Sequence, residues 1–306
     1  TVVRINFEEL GGLGALSSIT ISDNGTGINH RELSSKFKPF LNSEKQLEIS
    51  EERHKSITHG KNGFGRLTFF CFAQDATWST KFVDEAGVKE YDINISANTL
   101  ENYQVIGNPV SVTNTETGTI VRFSGIVDVT KDFILSNLRT YLQVEFGWFL
   151  ELYKKKGFEI YVNDEKLTYE EIVGDREELS ICHNETSVEF NVSFVRWNKA
   201  LKNEYSRYYL IDSFGDERWK ATTRLNNKGD EFYHSIYITS SYFDTFTYSP
   251  EQSDDQQTLI GHSKSDNAFK YLEDEITKYL RNKRRPFLEV YVNQKINDLQ
   301  KAGVIP

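Results

Sequence analysis

Two glycine strings constrain this chain more than any other feature. The β-like run SITIS ends in Asp23-Asn24-Gly25-Thr26-Gly27, and Gly60-Lys61-Asn62-Gly63-Phe64-Gly65-Arg66 leads into the apolar run LTFFCFA, with Gly60 lying 37 positions after Asp23. The first string alone reads as a plain turn, because Asp, Asn and Gly are ordinary turn residues. The second shifts that balance. Glycine-rich backbone at the mouth of a helix presents N–H groups with no side chains in the way, and the helix dipole favours an anion there. Together the strings point to a phosphate-bearing ligand. The second string lacks the Gly-Lys-Ser/Thr ending of a P-loop, and it does not follow a first strand as a dinucleotide fingerprint does. A third piece lies downstream, where Thr117-Gly118-Thr119-Ile120-Val121-Arg122-Phe123 reads as a strand opening with Gly-Thr.

Periodicity organises the rest. VVRINF, SITIS, ATWSTKFV, VKEYDINIS and GTIVRFSG read as strands, and GFGRLTFFCFAQD reads as a helix. Several strands with helices inserted between them imply an α+β sandwich on a mostly antiparallel or mixed sheet. Residues 29 to 61, NHRELSSKFKPFLNSEKQLEISEERHKSITHGK, are polar and weakly periodic, the composition of a mobile lid. From Lys131, KDFILSNLRTYLQVEFGWFLELYKK has helical spacing, and GFEIYVNDEKL returns to strand and turn. TSVEFNVSFVRW, EYSRYYLID, RWKATTRL and DEFYHSIYITSSYF form a second strand set, with the middle pair read as joined by the turn Asn226-Asn227-Lys228-Gly229. The chain then reads as a long helix with Pro286 as a kink or break and a stop near Gly303. The expected division is 1–156, 157–264 and 265–306, the last being a helix leading onward.

Composition excludes some classes. The 306 residues carry 36 Lys plus Arg against 45 Asp plus Glu, a net charge of −9. This disfavours a chain that coats nucleic acid or anionic membrane with its whole surface. No apolar run approaches the roughly 18 to 20 residues of a membrane span, and TVVRINFEEL lacks a signal pattern. A soluble, cytoplasmic protein without membrane contact is the expectation. Cys71 and Cys182 fit neither a disulfide framework nor a zinc site, and Cys71 within LTFFCFA reads as a small buried hydrophobe. The six histidines are scattered, so no metal site is expected from them.

With the three glycine-bearing motifs in this order, residues 1 to about 165 resemble the GHKL ATPase superfamily, named for gyrase, the ninety-kilodalton heat-shock chaperone, histidine kinases and the MutL proteins. The resemblance implies the Bergerat-type α/β sandwich. It implies that Asp23 accepts the adenine exocyclic amine, that Gly25 and Gly27 bend the backbone beneath the base, and that Thr119 hydrogen-bonds nearby, partly through water. Gly60, Gly63 and Gly65 match the lid-hinge glycines. Their amides, with Lys61, Asn62 and the intervening Phe64, would face the phosphates. ATP with Mg²⁺ is the implied cofactor, and ATP-driven lid closure with homodimerisation is the implied mechanism. The family carries its water-activating glutamate and Mg²⁺-holding asparagine on a helix before the first of these strands. The sequence as given is expected to begin past that helix, with neither Glu8 nor Glu9 promoted to the role. The alternative is a nucleotide-regulated interaction scaffold without turnover.

The second half resembles, more loosely, the transducer domain of the gyrase, MutL and chaperone branches. That domain reaches a basic residue toward the γ-phosphate from a loop before a long helix. Ile260-Gly261-His262-Ser263-Lys264-Ser265 occupies that place, which makes Lys264 the catalytic candidate and Lys220 the runner-up. Arg281, Lys283, Arg284 and Arg285 form the one basic patch on which a nucleic acid or acidic partner could act.

Overall fold

The computed structural model describes residues 1–11, 14–33, 68–99, 103–113, 116–202, 206–226, 229–247 and 262–304. They divide into two compact units, one of residues 1–143 and 153–168, the other of residues 144–152 and 169–306.

The first unit is built on an eight-stranded mixed sheet. Its strands are β1 (Val2–Glu9), β2 (Leu16–Asp23), β3 (Ala73–Asp84), β4 (Gly87–Ser96), β5 (Gln104–Ser111), β6 (Gly118–Ile126), β7 (Glu159–Val162) and β8 (Glu165–Lys166). They lie in the order β5-β4-β3-β6-β2-β1-β7-β8. Only β1 and β7 pair in parallel, and the return between β6 and β7 carries helix α1 (Lys131–Leu152). Strict alternation sets the buried face. Ala76, Trp78, Thr80 and Phe82 of β3 and Tyr91, Ile93 and Ile95 of β4 point inward, and all but Thr80 join Phe69 and Leu33 in one apolar cluster. A smaller cluster sets Leu16 and Ile19 of β2 against Ile134 near the start of α1.

The sequence pattern misread the entry to β3. A helix was expected through residue 75, but the described part contains a 3₁₀ turn at Thr68–Cys71, and β3 begins at Ala73. From Ala73 onward the period-two pattern wins over a short aromatic-rich run of modest helix propensity. That turn puts Phe69 inward and leaves Cys71 exposed, which reverses the expected burial of the thiol. The expected lid lies outside the described residues from Ser34 on. Its first residues fold into a 3₁₀ turn, His30–Glu32, capped by the Asn29 side chain and followed by buried Leu33. β7 and β8 extend the first sheet, so this unit continues through Thr168 rather than stopping at residue 156.

The second unit holds a five-stranded sheet of β9 (Val173–His183), β10 (Val188–Trp197), β11 (Arg207–Ile211), β12 (Glu217–Thr222) and β13 (Tyr233–Thr239), in the order β12-β11-β13-β10-β9. The short strands β14 (Phe246–Thr247) and β15 (His262–Ser263) pair in parallel before helix α2 (Asn267–Lys301). Phe269, Leu272, Ile276 and Leu280 recur at helical spacing on α2 and pack on Phe190, Phe194, Ile236 and Ile238. Each such side chain contributes about 1.5–3 kcal/mol by leaving water. This helix is thus part of the second unit's core. Pro286 sits inside it without ending it. The carbonyl that Pro286 leaves without an intrahelical donor belongs to Asn282, and both residues are exposed to water. The helix closes at Gly303, with φ of 68° and Val304 N–H bonded to Leu299 O at 2.9 Å.

β11 and β12 are antiparallel neighbours joined at Asp212–Asp216, not at residues 226–229, which lead from β12 to β13 on the other side of β11. The Asp212 carboxylate accepts Phe214 N–H (3.0 Å) and Asp216 N–H (2.9 Å), and Gly215 supplies a φ of 78°. That is an Asp-built turn, and Asp-Ser-Phe-Gly-Asp carried its signal in plain sight.

Candidate functional site

Asp23 ends β2, directly opposite Val3 of β1 on one side and Thr119 of β6 on the other. Thr119 in turn faces Thr80 of β3, and Thr80 faces Tyr91 of β4. Residues opposite one another share a face of a sheet, so Asp23, Thr119, Thr80 and Tyr91 form a polar row across four adjacent strands. Two of the four were named from sequence. Thr80 and Tyr91 were missed; a threonine between Trp78 and Phe82 of β3 is a weak signal until Thr119 is set beside it.

Gly25, Gly27 and Gly118 shape the backbone beside this row. Asp23 Oδ1 accepts Gly25 N–H at 2.8 Å, which leaves Oδ2 without a hydrogen-bond partner among the described residues. A Cβ at Gly25 would lie 2.8 Å from that same Oδ1 and would displace the carboxylate. At Gly27, with φ of 74°, a Cβ would lie 1.9 Å from Lys81 O, and at Gly118 it would lie 2.1 Å from Asp23 O. Backbone here runs against backbone with no room for a side chain. The turn is tied further by Thr117 Oγ1 donating to Gly25 O (2.7 Å) and by Val2 N–H donating to Asn24 Oδ1 (2.7 Å).

Ile28, the residue after the turn, is held through both of its backbone groups. Ile28 N–H donates to Thr80 Oγ1 at 2.8 Å, and Tyr91 Oη donates to Ile28 O at 3.0 Å. Burial pushes the Tyr91 phenol up to about 12, so it stays a donor throughout the neutral range. Thr80 Oγ1 also lies 3.0 Å from Thr119 Oγ1 and 3.4 Å from Gly118 O. The assembled surface offers a carboxylate oxygen beside a buried hydroxyl, a pairing suited to a planar ligand edge that carries one donor and one acceptor.

The structure therefore brings Asp23, Gly25, Gly27 and Thr119 together. Gly60, Lys61, Asn62, Gly63, Phe64 and Gly65 lie outside the described residues. Glu8 accepts from Ser18 Oγ (2.6 Å) and pairs with Arg122 (2.8 Å), while Glu9 pairs with Lys131. Both early acids are thus engaged in ion pairs at the end of β1.

In the second unit, Lys264 is exposed in the turn between β15 and α2. Asp266 braces that turn, accepting Ser263 N–H (3.1 Å), Ser263 Oγ (2.9 Å) and Tyr242 Oη (2.9 Å), with His262 Nδ1 at 3.3 Å. Burial alone would raise the Asp266 pKa, but these hydrogen bonds outweigh it and hold the group below its ordinary value. The His262 and Tyr242 rings stack at 4.0 Å. Lys220 lies over the Trp148 ring at 4.4 Å, and Trp148 stacks on Tyr209, which stacks on Tyr237. The basic patch of α2 is largely neutralised. Lys283 pairs with Glu177 and Asp175, Arg284 with Asp230, and Arg285 with Glu289. Arg281 has no ion pair among the described residues.

Strands β1, β2 and β6 thus converge on Asp23 and Thr119, with the glycine turn beside them. Residues 1–119 match the family described as Histidine kinase-, DNA gyrase B-, and HSP90-like ATPase. No curated protein matches it in sequence. Among solved structures it is similar to the ATPase region of Saccharomyces cerevisiae topoisomerase II, with 13% identity, a TM-score of 0.41, and 78% of this chain and 67% of that chain covered. It is also similar to the ATPase and transducer domains of DNA topoisomerase II from Balamuthia mandrillaris, with 11% identity, a TM-score of 0.38, and 93% and 80% covered. No helix among the described residues is long and apolar enough to cross a membrane.

Proposed function

We propose that the chain binds ATP at the Asp23 row and that ATP drives closure of the segment between the two glycine strings, with dimerisation coupled to the second unit. The observation that carries the reading is the pairing of Asp23 with Thr119 at the end of β2, inside the residues that match the ATPase family. Adenine presents an amine donor next to a ring acceptor, and a carboxylate beside a hydroxyl satisfies both. The glycines and Lys61 of the second string would receive the phosphates. Mg²⁺ would arrive with the triphosphate as its counter-ion, and no described residue is assigned to hold it. Lys264 would stabilise charge on the γ-phosphate, from a turn that Asp266 and Tyr242 keep rigid.

Calorimetry on Asp23→Ala tests the reading. Removing the acceptor leaves the adenine amine unpaired at a cost of about 1–3 kcal/mol, a roughly five- to hundredfold loss of ATP affinity. Unchanged affinity in the variant would remove Asp23 from the site. Phosphate release by Lys264→Ala, measured beside the parent chain, tests the assignment of the lysine.

A further inference from the structure

We propose that Thr80, clamped by the Ile28 peptide and Tyr91, is a positioning residue that fixes Thr119 as a hydrogen-bond donor and thereby sets a preference for 6-aminopurine over 6-oxopurine nucleotides. The inference rests on the nucleotide reading above and deepens it. A threonine hydroxyl has one proton and two acceptor sites. One acceptor site of Thr80 is taken by Ile28 N–H at 2.8 Å. Its proton has two destinations, Thr119 Oγ1 at 3.0 Å and Gly118 O at 3.4 Å, and the shorter contact wins. Thr119 Oγ1 then accepts, and its own proton is directed away from Thr80.

Two further features favour this direction. Asp23 adjoins Thr119 on the far side from Thr80, and its negative charge draws the Thr119 proton toward that side. The Ile28 carbonyl, in the next peptide unit, is engaged by Tyr91 Oη at 3.0 Å, so Ile28 is anchored on both sides of its Cα and its N–H is kept on Thr80. Thr80 is 1% exposed and Tyr91 4%, so water does not compete for these groups. The exposed end of the row is therefore an acceptor, Asp23 Oδ2, beside a donor, the Thr119 hydroxyl. A 6-aminopurine shows the complementary donor and acceptor at its amine and N1. A 6-oxopurine shows them reversed, facing acceptor with acceptor and donor with donor. Without the Thr80 proton, Thr119 is free to turn and serve either base.

The test compares ATP with inosine triphosphate, which differs at that edge alone, by calorimetry on the full chain. The parent is expected to prefer ATP by at least about tenfold. Thr80→Val keeps the side-chain shape and removes the hydroxyl, and it should narrow that preference by roughly fivefold or more, whereas Thr80→Ser should restore it. A folded Thr80→Val chain whose ATP to inosine triphosphate ratio stays within twofold of the parent overturns the proposal. Failure of the parent to bind ATP at all would instead overturn the nucleotide reading on which it rests. Should Thr80→Val not fold, 1-deaza-ATP against the parent chain reads the same hydroxyl direction. It lacks the N1 acceptor and should bind about tenfold more weakly than ATP, and equal affinity overturns the proposal.

Discussion

Replacing Gly27 by alanine tests whether the turn beneath the polar row is held by backbone packing. The residue sits at φ 74°, and an added Cβ would lie 1.9 Å from Lys81 O, 2.7 Å from Lys81 C and 3.2 Å from Phe82 Cβ. The left-handed backbone alone costs an alanine about 1–2 kcal/mol. Lys81 O belongs to the middle of β3 and cannot retreat, so the loop must lift. Lifting it breaks the Ile28 N–H bond to Thr80 and the Tyr91 bond to Ile28 O, and each group left buried and unpaired costs about 1–3 kcal/mol. The expected loss is at least about 3 kcal/mol. Gly157 provides the control, because it has a similar φ of 66° with nothing within 4 Å of its added Cβ, so Gly157→Ala should cost the backbone strain alone. Native-state hydrogen exchange of the β3 and β4 amides reads the first unit separately from the second. Gly27→Ala should exceed Gly157→Ala by about 2 kcal/mol, roughly thirtyfold in protection. Equal losses in the two variants would show that the loop moves without disturbing the Thr80 and Tyr91 clamp, and the packing argument would be refuted.

Two predictions concern the second unit. His234 is 1% exposed, and burial pushes its pKa down to about 4 from an ordinary 6.5, against weaker opposing effects from the Phe232 carbonyl and Asp230. The unfolded chain therefore binds the extra proton first, so His234 contributes stability that is present above pH 6.5 and lost as pH falls toward 4, about 3 kcal/mol in all. Thermal melts across that window should slope less steeply for His234→Gln than for the parent. Arg284 pairs with Asp230, whose side chain is 3% exposed, so Arg284→Ala strands a buried carboxylate and should cost about 3–5 kcal/mol in denaturant unfolding. Pairing Arg284→Met with Asp230→Asn should return most of that loss, and a double variant as weak as the single one would contradict it.

Much of the first unit was legible because its strands alternate. Ala76, Trp78, Phe82, Ile93 and Ile95 announce their face by period two, and Asp23 with the Gly25 and Gly27 turn announces where β2 ends beside β6. What was not legible depended on neighbours distant in sequence. Thr80 looks like an ordinary strand threonine until β6 sets Thr119 beside it, and Tyr91 looks like core until its hydroxyl is seen to hold Ile28. The Thr68–Cys71 turn was hidden because a short aromatic run has no period long enough to separate helix from strand entry. The ion pairs of the basic patch on α2 were not legible because the acids that answer it, Glu177, Asp175 and Asp230, come from β9 and the approach to β13. The β11 to β12 turn was misplaced because the Asn-rich string at 226–229 is a strong turn signal that serves a different connection.

The division of the chain between its two units has a practical consequence for genetic exchange. The polypeptide passes from the first unit to the second inside α1 after Gln143, returns at Tyr153, and leaves again after Thr168. Two of those three passages bound a stretch of nine residues, 144–152, that completes a helix begun in the other unit. A recombination event that replaced everything after one crossover could not deliver both units whole. The sheet bearing Asp23 would lose β7 and β8 or the second unit would lose the segment containing Trp148. The sheet bearing Asp23 and the sheet that carries α2 thus behave as one cassette, and natural or designed chimaeras should find tolerated junctions at the outer ends of the pair.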